Sequence, residues 1–310
     1  MRRGFLKRGL AGGSLLLGLP AGLRAAPALQ PQDFEAACQA IEARLGGQIG
    51  VFALDTGSQA RLAYRADQRF AMCSTFKLLL AAAVLARIDA GQLRPDQRLR
   101  YGPRDLVPHA PVTGALLEGG SQSASLTVAA LCEAILVHSD NPAANLLLPL
   151  VGGPPGLTRF AREQGDVITR LDRIEPALNS NEPGDPRDSS TPEAFVGLLD
   201  RLLGSVLSDE LRQQLLVWMN ASETGLRRLR AGAPQDWPAA DKTGTGARGA
   251  VNDVAVFFPP QRAPILMAVF MSGSSQPLAA LEAAHAELAT RALAQLSRDG
   301  AAAVAPLTSS

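Results

Sequence analysis

The 310-residue sequence predicts an α/β fold of the α+β type, in which one antiparallel sheet of five strands is flanked by helices and an all-helical lobe is inserted between the strands. Strand-like runs lie only near the two ends of the chain, and about 150 residues between them show mainly helical patterns. Short turns separate neighbouring strand-like runs, which favours antiparallel pairing. This order of elements predicts a ligand cleft between the sheet and the helical insertion.

Residues 1–28 are predicted to be a cleaved signal peptide. Arg2 and Arg3 precede a Gly- and Leu-rich apolar run over 9–23, and 26–28 offers a small-residue cleavage site. The paired arginines resemble a twin-arginine export signal. An uncleaved membrane anchor is the alternative, although the apolar run is short and interrupted. We therefore expect a periplasmic mature chain without membrane contact.

Elements of the predicted sheet region lie at both ends of the mature chain. A helix is expected over 33–45, because Phe34, Leu45 and apolar residues between them recur at helical spacing. Strands are expected at 49–54, 61–64, 238–245, 251–258 and 265–271. A closing helix is expected over 278–296, and the Ala-rich tail after 300 is expected to be frayed.

The middle of the chain is expected to form the helical lobe, over 71–221. Residues 29–310 then make a single domain, whose α/β lobe comprises 29–70 and 222–300. One helix is expected to begin at Ser74 and to end before Gly91. Further helices are expected at 126–138, 143–150, 155–164, 192–203 and 208–220.

Composition excludes several classes of function. Thirty basic residues nearly balance 29 acidic ones, and no basic run is present, so nucleic acid is not an expected partner. Cys38, Cys73 and Cys132 are widely spaced and odd in number, which predicts buried free thiols. The three histidines show no H-E-x-x-H spacing, so a zinc hydrolase is not expected.

Ser74 and Lys77 form an S-x-x-K motif at the predicted start of a buried helix. Residues three apart share a helix face, so the Lys77 ammonium can reach the Ser74 hydroxyl. Backbone N–H groups and the positive end of the helix dipole favour a developing oxyanion at the same place. The motif is typical of a serine nucleophile, although it also fits a plain helix N-cap.

Two further short motifs are weak when each is taken alone. Ser139, Asp140 and Asn141 lie between two predicted helices, where an N-cap sequence is also expected. Lys242-Thr243-Gly244 lies on a predicted strand, and a glycine there lets another group approach the backbone closely.

A fourth pattern lies in a long Pro-, Gly- and Asp-rich stretch over 170–191. Glu175 and Asn179 are four residues apart, so on a helical turn they can hold one water between them. Long loops of this kind in compact proteins are usually functional or disordered. Arg173 and Asp188 are placed to close the loop as an ion pair.

The four motifs, in the order S-x-x-K, S-D-N, E-x-x-x-N and K-T-G, resemble those of the class A serine β-lactamases. The resemblance covers nearly the whole mature chain. It implies a β-lactamase/transpeptidase-like fold, small-molecule β-lactam substrates, no cofactor, no metal and a monomer. It also implies that the protein hydrolyses the β-lactam amide bond of penicillins and cephalosporins through a serine acyl-enzyme and so confers antibiotic resistance.

The resemblance implies a role for each motif residue. Ser74 is the nucleophile, and the backbone N–H groups of Ser74 and Thr245 form the oxyanion hole. Glu175 and Asn179 hold the water that hydrolyses the ester. The base in acylation is either Lys77 or Glu175, and the resemblance leaves both open.

The other motif residues are implied to transfer a proton or to bind substrate. Ser139 relays a proton to the lactam nitrogen, and Asn141 binds the amide of the acyl side chain. The substrate carboxylate is bound by Lys242, Thr243, Gly244 and Thr245. Because Lys242 lies beside Lys77, like charge is expected to disfavour the ammonium form of Lys77.

Three positions depart from the family pattern. The arginine that many members place after K-T-G is missing, and Arg228 is its expected substitute unless it is a solvated helix arginine. His109 stands where the family has an aromatic cleft wall, although an exposed loop histidine is the alternative. Some members join the cysteine at the position of Cys73 to one at the position of Gly246, so that bridge is not expected here.

Two alternative functions remain open from the sequence. A penicillin-binding D,D-peptidase or transpeptidase has the same fold, but the pair Glu175 and Asn179 argues against it because those enzymes lack this pair. A non-catalytic binding protein on the same scaffold is the second alternative. The presence of every expected catalytic residue argues against that one.

Overall fold

The computed structural model describes the backbone of residues 31–304 and the side chains of residues 33–298, so the predicted signal peptide lies outside the described residues. In this part of the chain the strands are β1 (Gln48–Asp55), β2 (Arg61–Tyr64), β3 (Phe70–Ala71), β4 (Arg98–Tyr101), β5 (Ala124–Thr127), β6 (Ser189–Ser190), β7 (Ala239–Thr245), β8 (Val251–Phe257) and β9 (Ile265–Ser272). Five of them form one antiparallel sheet in the order β2-β1-β9-β8-β7. The predicted sheet is confirmed.

The helices of the described chain surround this sheet and extend away from one of its faces. They are α1 (Pro31–Leu45), α2 (Phe76–Asp89), α3 (Val128–Val137), α4 (Asn141–Leu147), α5 (Gly153–Glu163), α6 (Pro192–Arg201), α7 (Asp209–Asn220) and α8 (Leu278–Val304). The side chains of Thr127, Asp140, Thr191 and Ser208 accept backbone N–H groups at the starts of α3, α4, α6 and α7. Such N-caps fix where each helix begins.

Both faces of the sheet are buried. Along β1, Val51 and Ala53 belong to the core that contains residues of α1 and α8, whereas Phe52 and Leu54 belong to the core on the helical side. Successive side chains of a strand point to opposite faces, so both sets are apolar. This is why the strand reads as a continuous apolar run.

α2 is the centre of the helical region, and its residues from Phe76 to Leu85 are all buried. A helix that is apolar on every side is expected to lie inside a protein. Because α2 is enclosed by other helices and by the sheet, the turn that precedes it is fixed on a rigid support. That turn carries Ser74.

Several predicted boundaries are wrong. The helix expected over 126–138 begins at Val128, because Ala124–Thr127 pairs with β4. The pairs β3–β6 and β4–β5 were not predicted, since strands of two to four residues give too short a pattern.

The closing helix runs to Val304, past its expected end at 296 and into the first four residues of the tail expected to be frayed after 300. Alanine is the strongest helix former, which accounts for this extension. The structure shows no membrane-spanning candidate: none of the helices in the described part of the chain is both long and apolar enough to cross a bilayer.

Candidate active site

Ser74 lies in a single 3-10 turn, Cys73–Thr75, that leads directly into α2. Lys77, in the first turn of α2, is fully buried, and its Nζ donates a hydrogen bond to Ser74 Oγ at 3.0 Å. The helix therefore brings the amine and the hydroxyl together, as their spacing of three predicts.

β7 packs tightly against this turn. A Cβ atom at Gly244 would lie 2.7 Å from Met72 O and 3.1 Å from Thr75 N, so only glycine fits without a shift. The prediction that another group approaches the backbone closely at this glycine is confirmed. The approach places Thr245 and Ser74 on the lining of one cleft.

Glu175 reaches the nucleophile from the loop that follows α5. Its Oε1 lies 3.4 Å from Ser74 Oγ and 3.0 Å from Lys77 Nζ. Its Oε2 accepts a hydrogen bond from Asn179 Nδ2 at 2.5 Å. The two residues do share a site, but a regular helical turn does not join them, because only Ala177–Asn179 is helical there. Asn179 Oδ1 is buried and has no hydrogen-bond partner among the described residues.

Asn145 holds Glu175 in place, and the sequence reasoning missed it. Its Oδ1 accepts the backbone N–H of Glu175, and its Nδ2 donates to the backbone oxygen of Glu175, both at 3.0 Å. Asn145 follows Asn141 by four residues on α4, which places both side chains on one helix face. That spacing was the available signal.

An ion pair closes the loop that carries Glu175. Arg173 Nε donates to Asp188 Oδ2 at 2.5 Å, and Asp188 is fully buried. Asp188 Oδ1 also accepts the backbone N–H groups of Asp172 and Arg173. The predicted pair is confirmed, and its backbone contacts fix the start of the loop.

The Ser139 hydroxyl lies between two lysines. Lys242 Nζ donates to Ser139 Oγ at 3.1 Å, and Lys77 Nζ lies 3.4 Å from the same oxygen. Lys77 Nζ also donates to Asn141 Oδ1 at 2.5 Å, while Asn141 Nδ2 donates to Pro108 O at 2.8 Å. The S-x-x-K and S-D-N motifs and the lysine of K-T-G thus form one network.

Asp140, the middle residue of S-D-N, has a structural task. Its carboxylate accepts hydrogen bonds from the backbone N–H groups of Val112, Thr113 and Ala143 and from the Thr113 hydroxyl. These contacts fix the segment on which Ser139 and Asn141 project toward the cleft. The N-cap interpretation is thus correct for Asp140 at α4.

Burial dominates the electrostatics of both lysines. The pKa of Lys77 is lowered chiefly by burial, against an opposing effect of the Glu175 carboxylate. The expected cause, like charge from Lys242, is therefore not the largest one. Repulsion between the two lysines has a clearer effect on Lys242. Burial, and then the charge of Lys77, lower the pKa of Lys242 to about 7.

Arg228 lies beneath the end of β7. Its guanidinium donates to Thr245 Oγ1 at 2.7 Å and to the backbone oxygens of Gly244 and Asn252, and Arg228 is only 3% exposed. The alternative of a solvated helix arginine is wrong. Glu282 of α8 lies 3.5 Å from Arg228 Nε and orients the guanidinium from behind.

Ser74 and other residues of the site line a cleft of about 550 Å³, whereas Lys77, Glu175 and Lys242 are buried and do not belong to its lining. Its lining comprises Ser74, His109, Ser139, Asn141, Asn179, Glu223, Thr224, Leu226, Arg227, Arg228, Thr243, Gly244 and Thr245. His109 is an exposed loop residue and also part of the cleft wall, so both interpretations of it hold. Thr224 Oγ1 lies 2.6 Å from Thr243 Oγ1 and was not predicted as part of the site.

The three cysteines, all within the described residues, form no disulfide bond. Cys38, Cys73 and Cys132 are free and buried, as predicted. Burial raises the pKa of Cys73 to about 12, which keeps this thiol protonated beside the nucleophile. Among the described residues, no group of three His, Cys, Asp or Glu side chains is arranged to hold a metal ion.

The site can carry out nucleophilic acyl transfer. A serine hydroxyl contacts an amine and a carboxylate, a second hydroxyl bridges two amines, and an amide–carboxylate pair stands beside the nucleophile. This is the arrangement of an activated nucleophile, with two further sets of polar groups beside it that can transfer protons.

Comparison with known proteins gives a consistent result. The family model described as "Beta-lactamase enzyme family" matches residues 33–300. The carbapenem-hydrolyzing β-lactamase KPC of Klebsiella oxytoca is 46% identical over 262 residues, which cover 84% of this chain and 86% of that protein. The β-lactamase AST-1 of Nocardia asteroides is 46% identical over 237 residues, covering 76% of this chain and 75% of that protein.

Solved structures agree with these sequence relatives. The class A β-lactamase of the last common ancestor of Gram-negative bacteria (GNCA4) has a TM-score of 0.81 and 52% identity, covering 85% of this chain and 99% of that one. A β-lactamase from Xanthomonas campestris has a TM-score of 0.82 and 46% identity, covering 86% of this chain and 98% of that one.

Proposed function

The chain belongs to the β-lactamase family, as one of its class A serine enzymes, and on this premise we propose that it hydrolyses the β-lactam amide bond of penicillins and cephalosporins through an acyl-enzyme on Ser74. One observation carries the proposal. Ser74 Oγ lies 3.0 Å from Lys77 Nζ and 3.4 Å from Glu175 Oε1, at the wall of a cleft of about 550 Å³. Such an activity would give a bacterium resistance to these antibiotics.

Acylation begins when Ser74 Oγ attacks the lactam carbonyl and gives up its proton. Lys77 and Glu175 both lie within reach of that proton, and their own contact of 3.0 Å lets it pass between them. The backbone N–H groups of Ser74 and Thr245 stabilise the oxyanion that forms. In acyl-transfer enzymes, removal of one such donor slows turnover by about 100-fold or more.

Opening of the lactam ring requires a proton at the leaving nitrogen. Ser139 supplies it, because its hydroxyl faces the cleft and lies between Lys77 and Lys242. Either lysine can then replace the proton that Ser139 gives away. The nitrogen leaves as an amine, and the acyl group stays on Ser74.

Deacylation uses the pair on the loop. Glu175 takes a proton from a water while Asn179 orients that water through its Oδ1, which is free to accept a hydrogen bond. The hydroxide attacks the ester, and Ser74 recovers its proton. The contact between Asn179 Nδ2 and Glu175 Oε2 favours this function over that of a D,D-peptidase.

Substrate binding follows the cleft lining. The carboxylate of the substrate lies against Thr243, Gly244 and Thr245, with Lys242 supplying charge from a buried position and Arg228 adding positive charge through Thr245. Asn141 binds the amide of the acyl side chain, and His109 forms the opposite wall. No metal or cofactor is required by these steps.

The cellular setting forms part of the proposal. Residues 1–28 act as a twin-arginine export signal that is removed, and a monomeric domain over 29–310 works in the periplasm. Its α/β lobe comprises 29–70 and 222–300, and its helical lobe comprises 71–221. The cleft that separates these lobes is open to diffusing small molecules.

The test is hydrolysis of a chromogenic cephalosporin by the purified mature protein, with mass spectrometry of the same mixture. Fast turnover without a persisting adduct is expected. A stoichiometric adduct on Ser74 without turnover would instead assign a penicillin-binding protein, and the absence of both signals would favour a non-catalytic scaffold. The variant Ser74→Ala is the control, because it cannot form a covalent adduct.

A further inference from the structure

We propose that Asn181 is a positioning residue for deacylation, because its side chain binds the loop that carries Asn179 to the ends of strands in the sheet. The inference rests on the proposed function of Glu175 and Asn179. Asn181 itself does not line the cleft. It belongs to none of the four motifs, and its role is visible only in the folded chain.

The Asn181 side chain spans two strand ends. Its Nδ2 donates to the backbone oxygens of Ala247 and Arg248, both at 3.2 Å, and to Ser272 Oγ at 2.9 Å. Its Oδ1 accepts from Ser272 Oγ at 3.2 Å. Ala247 and Arg248 belong to the turn between β7 and β8, and Ser272 ends β9. One amide thus ties the loop to two separate parts of the sheet.

Neighbouring contacts reinforce this tie. The Ala247 backbone N–H donates to Asn179 O at 2.9 Å, and Arg248 Nη1 donates to Ser180 O at 2.6 Å. The backbone oxygen of Arg248 in turn accepts the backbone N–H of Gly273 at 2.8 Å. We call Asn181, Arg248 and Ser272 the loop clamp. Its members contact one another or consecutive loop residues, so they hold the loop at a fixed distance from the turn.

The separation that the clamp maintains is close to van der Waals contact. A Cβ atom at Gly246 would lie 2.8 Å from Asn179 O, so the loop backbone and the end of β7 touch. The Asn179 side chain then reaches Glu175 Oε2. A small outward movement of the loop would therefore displace Asn179 from the position proposed for the water.

Glu175 has a second support that is independent of the clamp. Asn145 of α4 binds both backbone polar groups of Glu175. Ser74 and Lys77 are held by α2 and its preceding turn. Loss of the clamp should therefore displace Asn179 far more than it displaces the groups that carry acylation.

The ion pair in the same region is a weaker support. Arg248 Nη1 lies 2.7 Å from Glu182 Oε1, but these side chains are 48% and 47% exposed. Exposed pairs contribute little to stability. The amide of Asn181, which is less exposed and whose Nδ2 lies within hydrogen-bond distance of three acceptors, is the main element of the clamp.

Asn181→Gly is the variant that isolates the side chain. Asn181 has φ +46°, a left-handed conformation that glycine adopts freely, so the backbone is not strained by the change. Ser272→Ala is the second variant, because it keeps Asn181 and removes one partner. Arg187→Gln is the matched control, since the Arg187 side chain pairs within the loop with Asp185.

The experiment measures acylation and deacylation rate constants separately, by rapid mixing with a chromogenic cephalosporin and mass spectrometry of the acyl-enzyme. We expect deacylation to slow by about tenfold or more in Asn181→Gly, because small misplacements of catalytic groups have effects of this size, with acylation within about threefold of the parent. Ser272→Ala should show a smaller change of the same kind, and Arg187→Gln none. Equal losses in both steps, or no loss in either, would overturn the proposal.

A second readout does not depend on turnover. Amide hydrogen exchange at Ala247 should accelerate in Asn181→Gly, because its N–H bonds to Asn179 O across the gap that the clamp holds. Unchanged exchange there would contradict the clamp. If the parent protein forms no acyl-enzyme, the proposed function fails instead, and the exchange result still decides whether the clamp exists.

Discussion

Lys77 Nζ lies 3.0 Å from Glu175 Oε1, and neither side chain is exposed to solvent. A buried ion pair is weak evidence for stability, because removing two charges from water offsets most of their attraction. Its position beside Ser74 gives a functional reason for the pair. It joins the two candidate bases for acylation, and one of them, Glu175, is also the base proposed for hydrolysis of the ester.

Glu175→Ala should separate these two steps. The variant loses the proposed base for water, and general-base removal typically slows a reaction by about 10²- to 10⁴-fold. Acylation should remain measurable because Lys77 still contacts Ser74. Mass spectrometry after mixing with a penicillin should detect a persisting adduct, and Glu182→Ala, an exposed change in the same loop, should not accumulate one. Rapid multiple turnover by Glu175→Ala would remove Glu175 from the mechanism.

The activity should depend on the charge of Lys242. Its pKa is lowered to about 7, so the cationic form, which is proposed to attract the substrate carboxylate, is present below that pH and is lost as pH rises through it. We therefore expect kcat/KM, which reports the free enzyme, to fall above about pH 7. A bound carboxylate favours the ammonium, so kcat should keep its plateau to higher pH.

Lys242→Arg tests whether Lys242 causes this dependence. An arginine stays charged throughout the range, so the fall of kcat/KM above pH 7 should disappear even if the overall rate is lower. Lys77 also has a lowered pKa, and the Lys77 residue itself is not substituted in this variant. If kcat/KM of Lys242→Arg still falls above pH 7 as in the parent, the titration belongs to another group.

Arg228→Ala should weaken recognition of the substrate carboxylate. The loss of the contact between Arg228 and Thr245 should raise KM by about tenfold or more, with a smaller change in kcat. The variant also removes the hydrogen bonds from the charged guanidinium to the backbone oxygens of Gly244 and Asn252, so a loss of about 3 kcal/mol in unfolding free energy is expected. Arg94→Ala is the control, because the Arg94 side chain is 78% exposed and does not line the cleft. Unchanged KM across several substrates in Arg228→Ala would contradict the role in binding.

Local spacing was sufficient to predict part of the site. Ser74 and Lys77 meet because three residues on a helix make nearly one turn, and Gly244 is a glycine because a strand packs on the turn before that helix. The five strands of the main sheet were also predictable: β1, β8 and β9 are mainly apolar runs of seven or eight residues, and short turns separate neighbouring strands in each half of the sheet.

Other features depend on residues that are distant in the sequence. Asn145 holds Glu175 from 30 residues away, and Asn181 binds Ser272 from 91 residues away. The spacing of Asn141 and Asn145 places both on one helix face, but no local pattern identifies the distant partners, since these contacts arise from the packing of helices and loop on the sheet. The main cause of the lowered pKa of Lys77 was missed for the same reason, because burial depends on the whole fold.

A buried histidine should make the protein sensitive to acid. His285 of α8 is fully buried, and its Nδ1 lies 2.8 Å from Leu281 O. Burial, and then the Arg228 charge, lower its pKa to about 3. An unfolded histidine has a pKa of about 6.5, so between pH 6.5 and 3 the unfolded chain binds a proton that the native protein does not. The unfolding free energy should therefore fall as pH drops through this window.

His285→Gln tests the assignment, because glutamine does not titrate. From the two pKa values, His285 should account for a loss of about 2 kcal/mol in unfolding free energy between pH 7 and 5. Urea unfolding of the parent and the variant at both pH values measures it, and the pH-dependent loss should be smaller in His285→Gln by this amount. His109→Gln, a change at an exposed histidine, should keep the full loss. An equal loss in the parent and in His285→Gln would show that other groups control the acid sensitivity, since the variant has no side chain at this position that binds a proton on unfolding.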